Sequence, residues 1–363
     1  MIYKFDKIAY NSTVKKKPTD ADRSNYIGLE NIDPDSLFVE NYGSDITPKG
    51  EKLIMKKGDV LFGKRRAYQK KVAIAPCDGI FSAHGMVLRP KEDVIDKDFF
   101  PFFIHSDQFL NEAVRISVGG LSPTINWRDL KELEFSLPPL SIQRELSKKL
   151  WAAYRLKESY KKLLLATRDM VKSQFIEMFK DKGYPLEMIK SFADVSTGST
   201  PSKAHPEYWN GDKPWVSAED MKSKYVYDTC EKVTNAGYAT CKIIPVDTLM
   251  YVCRGSIGVM AINKIECATN QSICRATCHN NVCNVEFLYH ALMYQRDNIK
   301  KKGTGTSFKS LNQTTFSELE IELPPYEEQM KFVAIAEQAD KSEFELKKSI
   351  EAIDAVIKSL INN

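Results

Sequence analysis

Basic and amide side chains are concentrated in two stretches of this chain. The first lies in an expected hairpin and carries five cations, followed by a histidine: Lys64, Arg65, Arg66, Lys70, Lys71 and His84. The second combines an arginine turn (CRGSIG), a run of amides and a lysine-rich loop: Arg254, Ser256, Asn270, Gln271, Lys301, Lys302, Thr304, Thr306 and Lys309. Arginine forks can read guanine edges, Asn and Gln can read adenine edges, and Lys, Ser and Thr suit phosphates. These residue types predict DNA contacts, although a lysine run alone is often a solvated face.

The chain lacks the sequence patterns of catalysis on DNA. Its two Leu-Pro-Pro turns, LPPL from Leu137 and LPPY from Leu323, carry no Asn or Asp that could grip an amino group, and no Gly-rich cofactor loop is present. No Walker A motif or nuclease pattern stands out, and five scattered histidines suggest no triad. We therefore expect no catalytic residues in this chain.

Zinc is the metal that the sequence could suggest. Cys274, Cys278, Cys283 and His279 lie close together, but not at the paired C-x₂-C spacing of structural zinc sites. Buried cysteines that act as small apolar residues are the alternative, so we expect no metal site. A chain of this length needs no disulfides, and it shows no apolar leader or long apolar run. These features predict a cytoplasmic protein without membrane contact.

One module occurs twice in the chain. The segment from Gly119 to Leu146 returns 186 positions later, so that Leu137 matches Leu323 without a gap. The same spacing matches further pairs: Gly119 with Gly305, Asn126 with Asn312, Glu132 with Glu318, Glu134 with Glu320, and Gln143 with Gln329. The duplication puts the two basic stretches at equivalent positions, which favours a shared role in DNA binding.

Each copy of the module ends in a long charged segment with a heptad-like apolar seam. The seam residues are Leu146, Leu150, Ala153, Tyr160, Leu164, Val171, Phe175 and Met178 in the first segment, and Leu346, Ile350, Ile353, Ile357 and Leu360 in the second. Roughly 40 residues form a helix of about 60 Å, which exceeds one small domain. We expect the two helices to pair as an antiparallel coiled coil. Packing of each helix on its own domain is the alternative.

The expected fold is α+β: two tandem α/β domains separated by two long helices, with pseudo-two-fold internal symmetry. The domains are predicted at 1–139 and 185–325, and the helices at 140–184 and 326–363. A composition of 43% hydrophobic and 28% charged residues is typical of a globular protein. The net charge is only +4, so any affinity for DNA must come from local clusters of charge.

The repeated module resembles the specificity subunits of Type I restriction-modification enzymes. The resemblance rests on the Gly–Ser/Thr loop that begins at Gly119 and again at Gly305, on Asn126 and Asn312, on the LPPL and LPPY turns, on the following Gln143 and Gln329, and on the long helices. It covers nearly the whole chain. It implies two target-recognition domains that each bind one half of a bipartite double-stranded DNA target, with the paired helices setting the spacer between the halves.

The resemblance also implies partners and their cofactors. Two methyltransferase subunits would dock on the helices and methylate adenine N6 with S-adenosylmethionine, and restriction or motor subunits would use ATP and Mg. This chain would bind no cofactor itself. The first copy departs from the family pattern, with GKRRAYQKKVA where the second has RGSIG. Two other functions stay open: a coiled-coil scaffold that binds no DNA, and the recognition half of a split restriction-methylation enzyme.

Overall fold

The computed structural model describes residues 1–302 and 311–362. Its contacts divide the chain into two compact units. Unit 1 combines Met1–Lys161 with the C-terminal segment Lys348–Asn363, and unit 2 is Lys162–Lys347. Each unit therefore contains one globular domain and part of both long helices.

Unit 1 contains ten short strands, four short helices and the start of a long helix. The strands are β1 Ile2–Lys4, β2 Ala9–Ser12, β3 Lys15–Lys16, β4 Tyr26–Ile27, β5 Lys52–Met55, β6 Val60–Gly63, β7 Val72–Ile74, β8 Gly79–Phe81, β9 Gly85–Pro90 and β10 Glu134–Ser136. The helices are α1 Phe5–Ile8, α2 Phe100–His105, α3 Asp107–Arg115, α4 Trp127–Leu130 and the long α5 Leu140–Phe179. Three 3₁₀ turns cover Asp20–Asn25, Leu29–Asn31 and Ala67–Gln69.

Two four-stranded sheets form the domain of unit 1, in the orders β2-β9-β6-β7 and β3-β5-β8-β4, while β1 pairs with β10. Strands β4 and β8 run parallel, with Ile27 opposite Phe81, and the other neighbours are antiparallel. Strand β6 is buried on both faces. Because side chains alternate along a strand, Val60 and Phe62 join the aromatic core, whereas Leu61 joins the core shared by the two sheets.

Unit 2 has the same kinds of elements. Its strands are β11 Leu186–Met188, β12 Ala193–Thr197, β13 Trp209–Val216, β14 Tyr225–Val226, β15 Glu231–Val233, β16 Ile243–Ile244, β17 Leu249–Val252, β18 Met260–Asn263, β19 Cys267–Thr269, β20 Ile273–Cys278 and β21 Glu320–Glu322. Its helices are α6 Ile189–Phe192, α7 Asn235–Ala239, α8 Val285–Lys302, α9 Gln313–Ser317 and the long α10 Tyr326–Asn362. A 3₁₀ turn covers Pro206–Tyr208.

The sheets of unit 2 repeat most of the strand order of unit 1, but they add β14 and β15 at their edges and lack a counterpart of β3. They are β12-β20-β17-β18-β14 and β15-β13-β19-β16, and β11 pairs with β21. Strands β13 and β19 run parallel, with Trp215 opposite Ala268, as β4 and β8 do in unit 1. Along β17, Leu249 and Tyr251 face one core and Met250 faces the other. The duplicated topology confirms the predicted α+β fold of two tandem domains.

The long helices are antiparallel within unit 1. The ammonium of Lys157 on α5 lies 2.6 Å from the carboxylate of Asp354 on α10. Beyond this ion pair, Ile357 and Leu360 of α10 pack against the core cluster that contains Leu150 of α5. Residue numbers therefore rise along one helix as they fall along the other. Lys157, a break in the apolar seam, is accommodated by its charged partner.

Unit 2 contains the remainder of the same antiparallel pair. Arg168 Nε of α5 lies 3.1 Å from Glu343 Oε1 of α10, and the ring centroids of Phe175 and Phe332 are 5.2 Å apart. Phe175 also contacts the domain, because its ring centroid is 5.8 Å from that of Phe287 on α8. The coiled-coil prediction is confirmed, and the predicted alternative also holds in part, since the helix packs on its domain as well as on its partner.

The repeated glutamine joins each long helix to its domain. In unit 1, Gln143 is 1% exposed. Its Oε1 accepts a hydrogen bond from the Asp96 N–H at 2.8 Å, and its Nε2 donates to the carbonyls of Val94 at 3.1 Å and Pro138 at 2.8 Å. One side chain thus satisfies three backbone groups where the helix begins.

Gln329 makes the same contacts in unit 2. It is fully buried, its Oε1 accepts from the Asn284 N–H at 2.9 Å, and its Nε2 donates to the carbonyls of Val282 and Pro324 at 2.9 Å each. The glutamine of the repeated motif is therefore a structural residue in both units.

Within residues 1–302 and 311–362, none of the helices combines the length and apolar character needed to span a bilayer.

Candidate nucleic-acid interface

Three segments of unit 1 meet at the end of the β6–β7 hairpin. The backbone N–H groups of Lys64 and Arg65 both donate to the His84 carbonyl at 3.2 Å. The Ile125 N–H donates to the Lys64 carbonyl at 2.9 Å, which brings in the segment after the Gly–Ser/Thr loop. Arg65 Nη1 lies 3.5 Å from His84 Nε2. The structure thus brings together three of the predicted DNA-contacting side chains.

Two further lysines extend this cluster of positive charge. Burial, together with the charge of Lys15, lowers the pKa of the Lys64 ammonium. Burial also lowers the pKa of the His84 imidazole, and Arg65, Lys64 and Lys52 lower it further. We call Lys15, Lys52, Lys64, Arg65 and His84 the unit 1 edge. Each cation destabilises its neighbours, so an incoming polyanion would relieve the repulsion.

Few of the cations in the unit 1 edge are neutralised by a carboxylate. Among the described residues, neither Lys15, Lys64 nor Arg65 forms an ion pair with a carboxylate, whereas Lys70 reaches Asp107 at 3.9 Å. Paired surface cations interact weakly with further anions because a carboxylate already neutralises them. Unpaired cations remain available for phosphate or for a guanine edge.

The remaining predicted residues of this hairpin have other positions. Arg66 is exposed and adopts left-handed backbone, with φ of 53°. Lys70 Nζ donates to Asn111 Oδ1 at 2.8 Å, and Lys71 Nζ donates to the Leu29 carbonyl at 2.6 Å. Lys70 and Lys71 are therefore engaged in contacts within the unit, and the structure does not bring them to the unit 1 edge.

In unit 2, two turns meet in the same way. The Cys253 N–H donates to the Ser272 carbonyl at 2.8 Å, and the Leu311 N–H donates to the Cys253 carbonyl at 3.0 Å. Arg254 and Ser256 are exposed on the first turn. Gly255 has φ of +78°, a conformation that residues with a Cβ rarely adopt. The tight turn therefore leaves the arginine free to reach outward.

The second turn of unit 2 carries the amides. Asn270 Oδ1 accepts from the Ser272 N–H at 2.9 Å, which fixes the orientation of the turn. Gln271 is exposed and hydrogen bonds with Thr200 through their side chains. We call Arg254, Ser256, Asn270, Gln271 and Ser272 the unit 2 edge. Like the unit 1 edge, it combines a cation with groups able to donate or accept at base edges.

Arg65 and Arg254 occupy equivalent positions. In both units the residue before the arginine donates its N–H to the turn that follows a parallel strand. In both units the carbonyl of that residue accepts from the segment after the Gly–Ser/Thr loop. This equivalence depends on backbone hydrogen bonds, so it holds although the flanking sequences KRRAY and CRGSI differ.

A family model described as the Type I restriction modification DNA specificity domain matches residues 7–165 and 186–354. These two matches cover most of the chain, one in each repeat. The chain belongs to this family.

Relatives of known name carry the same description. The specificity subunit of the Type I restriction enzyme MjaIX from Methanocaldococcus jannaschii is 29% identical over 208 residues, which are 53% of this chain and 48% of that protein. The HindI specificity subunit from Haemophilus influenzae is 27% identical over 194 residues, 50% of this chain and 41% of that protein. A putative MjaX specificity subunit is 24% identical over 352 residues, 90% of this chain and 81% of that protein. The chain spans about half the length of the first two relatives that it matches.

Solved structures agree on the fold. The crystal structure of a Type I restriction-modification S subunit from M. genitalium superposes with a TM-score of 0.63 and 16% identity, covering 99% of this chain and 94% of that one. A chain from a structural study of assembly and conformational transition in a Type I restriction-modification system gives 0.58 and 15%, covering 100% and 96%. At these identities the likeness supports the fold alone.

A polar loop that contacts the unit 2 edge is not among the residues predicted from the sequence. Gly198 approaches the neighbouring strand so closely that a Cβ would lie 2.0 Å from the Thr269 carbonyl oxygen. The Ser199 N–H donates to that same carbonyl at 2.8 Å, and Thr200 contacts Gln271. The run TGSTPS in the sequence, with its glycine and proline, was the available signal for a tight polar loop.

A buried arginine is hydrogen bonded to the residues at the base of this loop. Arg275 is 1% exposed, and its guanidinium donates to the Thr197 and Lys242 carbonyls at 2.9 and 2.6 Å and to Ser196 Oγ at 2.9 Å. Burial lowers the pKa of Arg275. Because Arg275 lies in the interior of β20, it cannot contact DNA directly. Its role is to hold the loop in position.

The predicted DNA contacts of the lysine-rich loop are Lys301, Lys302, Thr304, Thr306 and Lys309. The side chains of Lys301 and Lys302, and the whole of Thr304, Thr306 and Lys309, lie outside the described residues.

The cysteines that could suggest zinc hydrogen bond within the core in two separate pairs, Cys274 with Cys253 and Cys283 with Cys278. Cys274 and Cys283 are buried in the main core of unit 2. His279 is half-exposed, and its Nε2 lies 3.3 Å from Asp194 Oδ1. In the described part of the chain, no group of three or more His, Cys, Asp or Glu residues is arranged to hold a metal ion.

Proposed function

We propose that this chain is the DNA-reading specificity subunit of a Type I restriction-modification complex, itself without catalytic activity. The observation that carries the proposal is the pair of equivalent edges, one per domain, each with an arginine on the same backbone framework. Two similar readers on one chain fit a bipartite double-stranded target, in which each domain reads one half.

Each edge offers a different set of contacts. Arg65 and Arg254 are suited to bidentate contacts with guanine, and Asn270 and Gln271 to contacts with adenine. Lys15 and Lys64 are suited to phosphates, because they are cations without acidic partners among the described residues. The unit 1 edge is thus richer in charge, and the unit 2 edge is richer in amides. We expect the affinity of unit 1 for its half-site to depend more steeply on salt.

Methylation and cleavage are assigned to partner subunits. Two methyltransferase subunits would supply S-adenosylmethionine and the reacting site, and restriction subunits would supply ATP and Mg, so this chain would bind no cofactor. Leu163 and Met170 support docking on α5, because they are 51% and 45% exposed and seven residues apart on one helix face. Because its DNA would be chromosomal or invading DNA inside the cell, we place the complex in the cytoplasm.

The test begins with methylation sequencing of the host genome with and without this gene, which defines both half-sites. The complex is then reconstituted with Arg65→Ala or Arg254→Ala, and binding is measured on the target and on duplexes with one base pair changed. Each variant should lose about 1–3 kcal/mol of discrimination in one half-site only. Arg115→Ala is the matched control, since this exposed arginine is neutralised by Glu112 at 2.6 Å.

Three outcomes would contradict the proposal, two of them in its DNA-binding part. One is that the intact complex binds the target sequence no more tightly than the duplexes with one base pair changed. The other is a pair of arginine variants that affect the same half-site or leave both unchanged. Binding of S-adenosylmethionine by the isolated chain would contradict its assignment as a recognition subunit without catalysis.

A further inference from the structure

Unit 2 carries an arm beside its edge that combines aromatic rings with one lysine, Lys203, while its one carboxylate, Glu207, lies 2.9 Å from His205. We define the arm as residues 198–211, which connect β12 to the start of β13. The Lys203 ammonium lies 5.3 Å from the centroid of the Trp209 ring, and the His205 ring stacks on Tyr208 at 5.0 Å with an interplanar angle of 25°. An open cavity of about 530 Å³ borders the arm, lined in part by Lys203, Trp209, Asn210 and Lys232.

A bulge in β13 creates this arrangement. Both Trp209 and Lys213 pair with Val233, so the residues between them are looped out of the sheet. Asn210 takes the left-handed conformation with φ of 61°, which Asn tolerates better than most residues. As a result, the Trp209 ring folds back to lie edge-on against Trp215, with centroids 5.3 Å apart. β-bulges often serve to redirect a side chain near a functional site.

The arm is physically continuous with the unit 2 edge. Trp215 Nε1 donates to the Ser199 carbonyl at 3.0 Å, and the next residue, Thr200, hydrogen bonds with Gln271 of the edge. A DNA strand that lies against Gln271 would therefore pass close to the arm. Buried Arg275, through its bond to the Thr197 carbonyl, fixes the base of the same loop.

The chemistry of the arm suits a sugar–phosphate backbone and is poorly suited to reading sequence. Lys203 forms no ion pair with a carboxylate among the described residues, whereas Lys232 is paired with Asp228 at 2.9 Å. An ammonium held over an indole combines a charge for phosphate with an apolar face for deoxyribose. Glu231 also lines the cavity, so the anion would be held on the Lys203 side of the arm. Such contacts tolerate any sequence.

We propose that the arm of unit 2 grips the DNA backbone just outside the half-site that unit 2 reads. The proposal rests on the proposed function and adds a sequence-independent contact to it. It also predicts an asymmetry between the domains. The corresponding segment of unit 1, residues 13–25 between β2 and β4, contains no aromatic residue, so no equivalent stacking contact can form there.

The experiment compares two duplexes bound by the complex with its methyltransferase subunits. One duplex ends at the last base pair of the unit 2 half-site, and the other extends about ten base pairs further, one helical turn. The intact complex should bind the longer duplex more tightly. Lys203→Ala should remove most of that gain by weakening binding to the longer duplex about three- to tenfold, and should reduce the slope of log affinity against log salt by about 0.9. Trp209→Ala should weaken binding to the longer duplex by about fivefold or more.

The shorter duplex controls for folding, because a variant that binds it as well as the intact complex has kept its edge. Lys190→Ala, at an exposed lysine of α6 that lies 3.1 Å from Glu318, should change neither affinity. Extending the duplex beyond the unit 1 half-site should produce no gain that depends on Lys203. Equal losses on both duplexes, no loss on either, or a failure of the Lys203→Ala complex to assemble would each overturn the inference. The proposed function would fail separately, through an intact complex without sequence preference.

Discussion

The glutamine of the repeated motif provides a test of how each domain is fixed to its helix. Gln329 has no exposed surface, and its amide makes one accepting and two donating hydrogen bonds with backbone groups. Gln329→Glu preserves the shape of the side chain, so no cavity forms. The introduced carboxylate can still accept from the Asn284 N–H. It cannot donate to the carbonyls of Val282 and Pro324, which then face a negative charge.

The expected cost follows from the two lost donors. A buried polar group left without its partner costs about 1–3 kcal/mol, so two carbonyls cost about 2–6 kcal/mol. Domains are stable by only about 5–15 kcal/mol, so unit 2 should approach its stability limit. Protonation would restore one donor, and burial favours the protonated carboxyl. The penalty should therefore be smallest below about pH 4 and should grow as the pH rises toward neutrality.

Urea unfolding and hydrogen exchange measure this effect. Gln329→Glu should lower the unfolding midpoint of unit 2 and speed exchange at the Asn284 amide, whereas Gln143→Glu should do the same for unit 1 at the Asp96 amide. Gln271→Glu, at an exposed position, should leave both midpoints unchanged. If Gln329→Glu and Gln143→Glu unfold at the same urea concentration as the parent protein, the three hydrogen bonds do not carry the stability assigned to them.

Three further changes in unit 2 have defined outcomes. Asp340→Asn removes one of the two carboxylates that lie 2.7 Å from the Lys224 ammonium and leaves the other, Glu286, so it should lower the free energy of unfolding by about 1–3 kcal/mol in urea titrations. Burial and the charge of Lys224 lower the pKa of His290 to about 3, partly offset by Asp340. Stability should therefore be full above about pH 6.5 and fall toward pH 3, by up to ~1.4 kcal/mol per unit, and His290→Phe should flatten this profile in thermal melts. Gly198→Ala must displace the loop from the Thr269 carbonyl, and should weaken binding to the unit 2 half-site in titrations with little loss at the other half-site.

Sequence alone was sufficient for the framework because regular spacing encodes it. The match of Leu137 with Leu323 located the repeated module, and the three-four spacing of apolar residues located the long helices. Their antiparallel pairing followed from symmetry and is seen in the Lys157–Asp354 ion pair. The boundaries of the two compact units were harder to predict from the sequence, because a compact unit depends on which chain segments pack together. The last segment of the chain, Lys348–Asn363, packs with unit 1 and not with the domain that precedes it.

The edges were only partly predictable, because their members are distant in sequence. Lys15 and Lys52 come from strands of a second sheet, and no local pattern links them to Lys64. Lys70 appeared to belong with Arg65, yet the hairpin turns it toward Asn111. Counting cations in a hairpin cannot separate a side chain that faces solvent from one that a neighbouring helix holds. The loop at Thr200 was missed for the same reason, since its partner Gln271 lies 71 positions away.

The framework bonds also explain why the two edges can differ so much. The N–H and carbonyl that hold the residue before each arginine belong to the backbone, so any residue type except proline can occupy that position, as Lys64 and Cys253 show. The requirement for a specific side chain falls on Gln143 and Gln329, which lie away from the edges. A domain whose stability depends on backbone bonds and one buried amide can change its exposed residues at little cost to folding. It follows that a new recognition surface can arise in either domain through substitutions at its edge, while the helix junction is left intact.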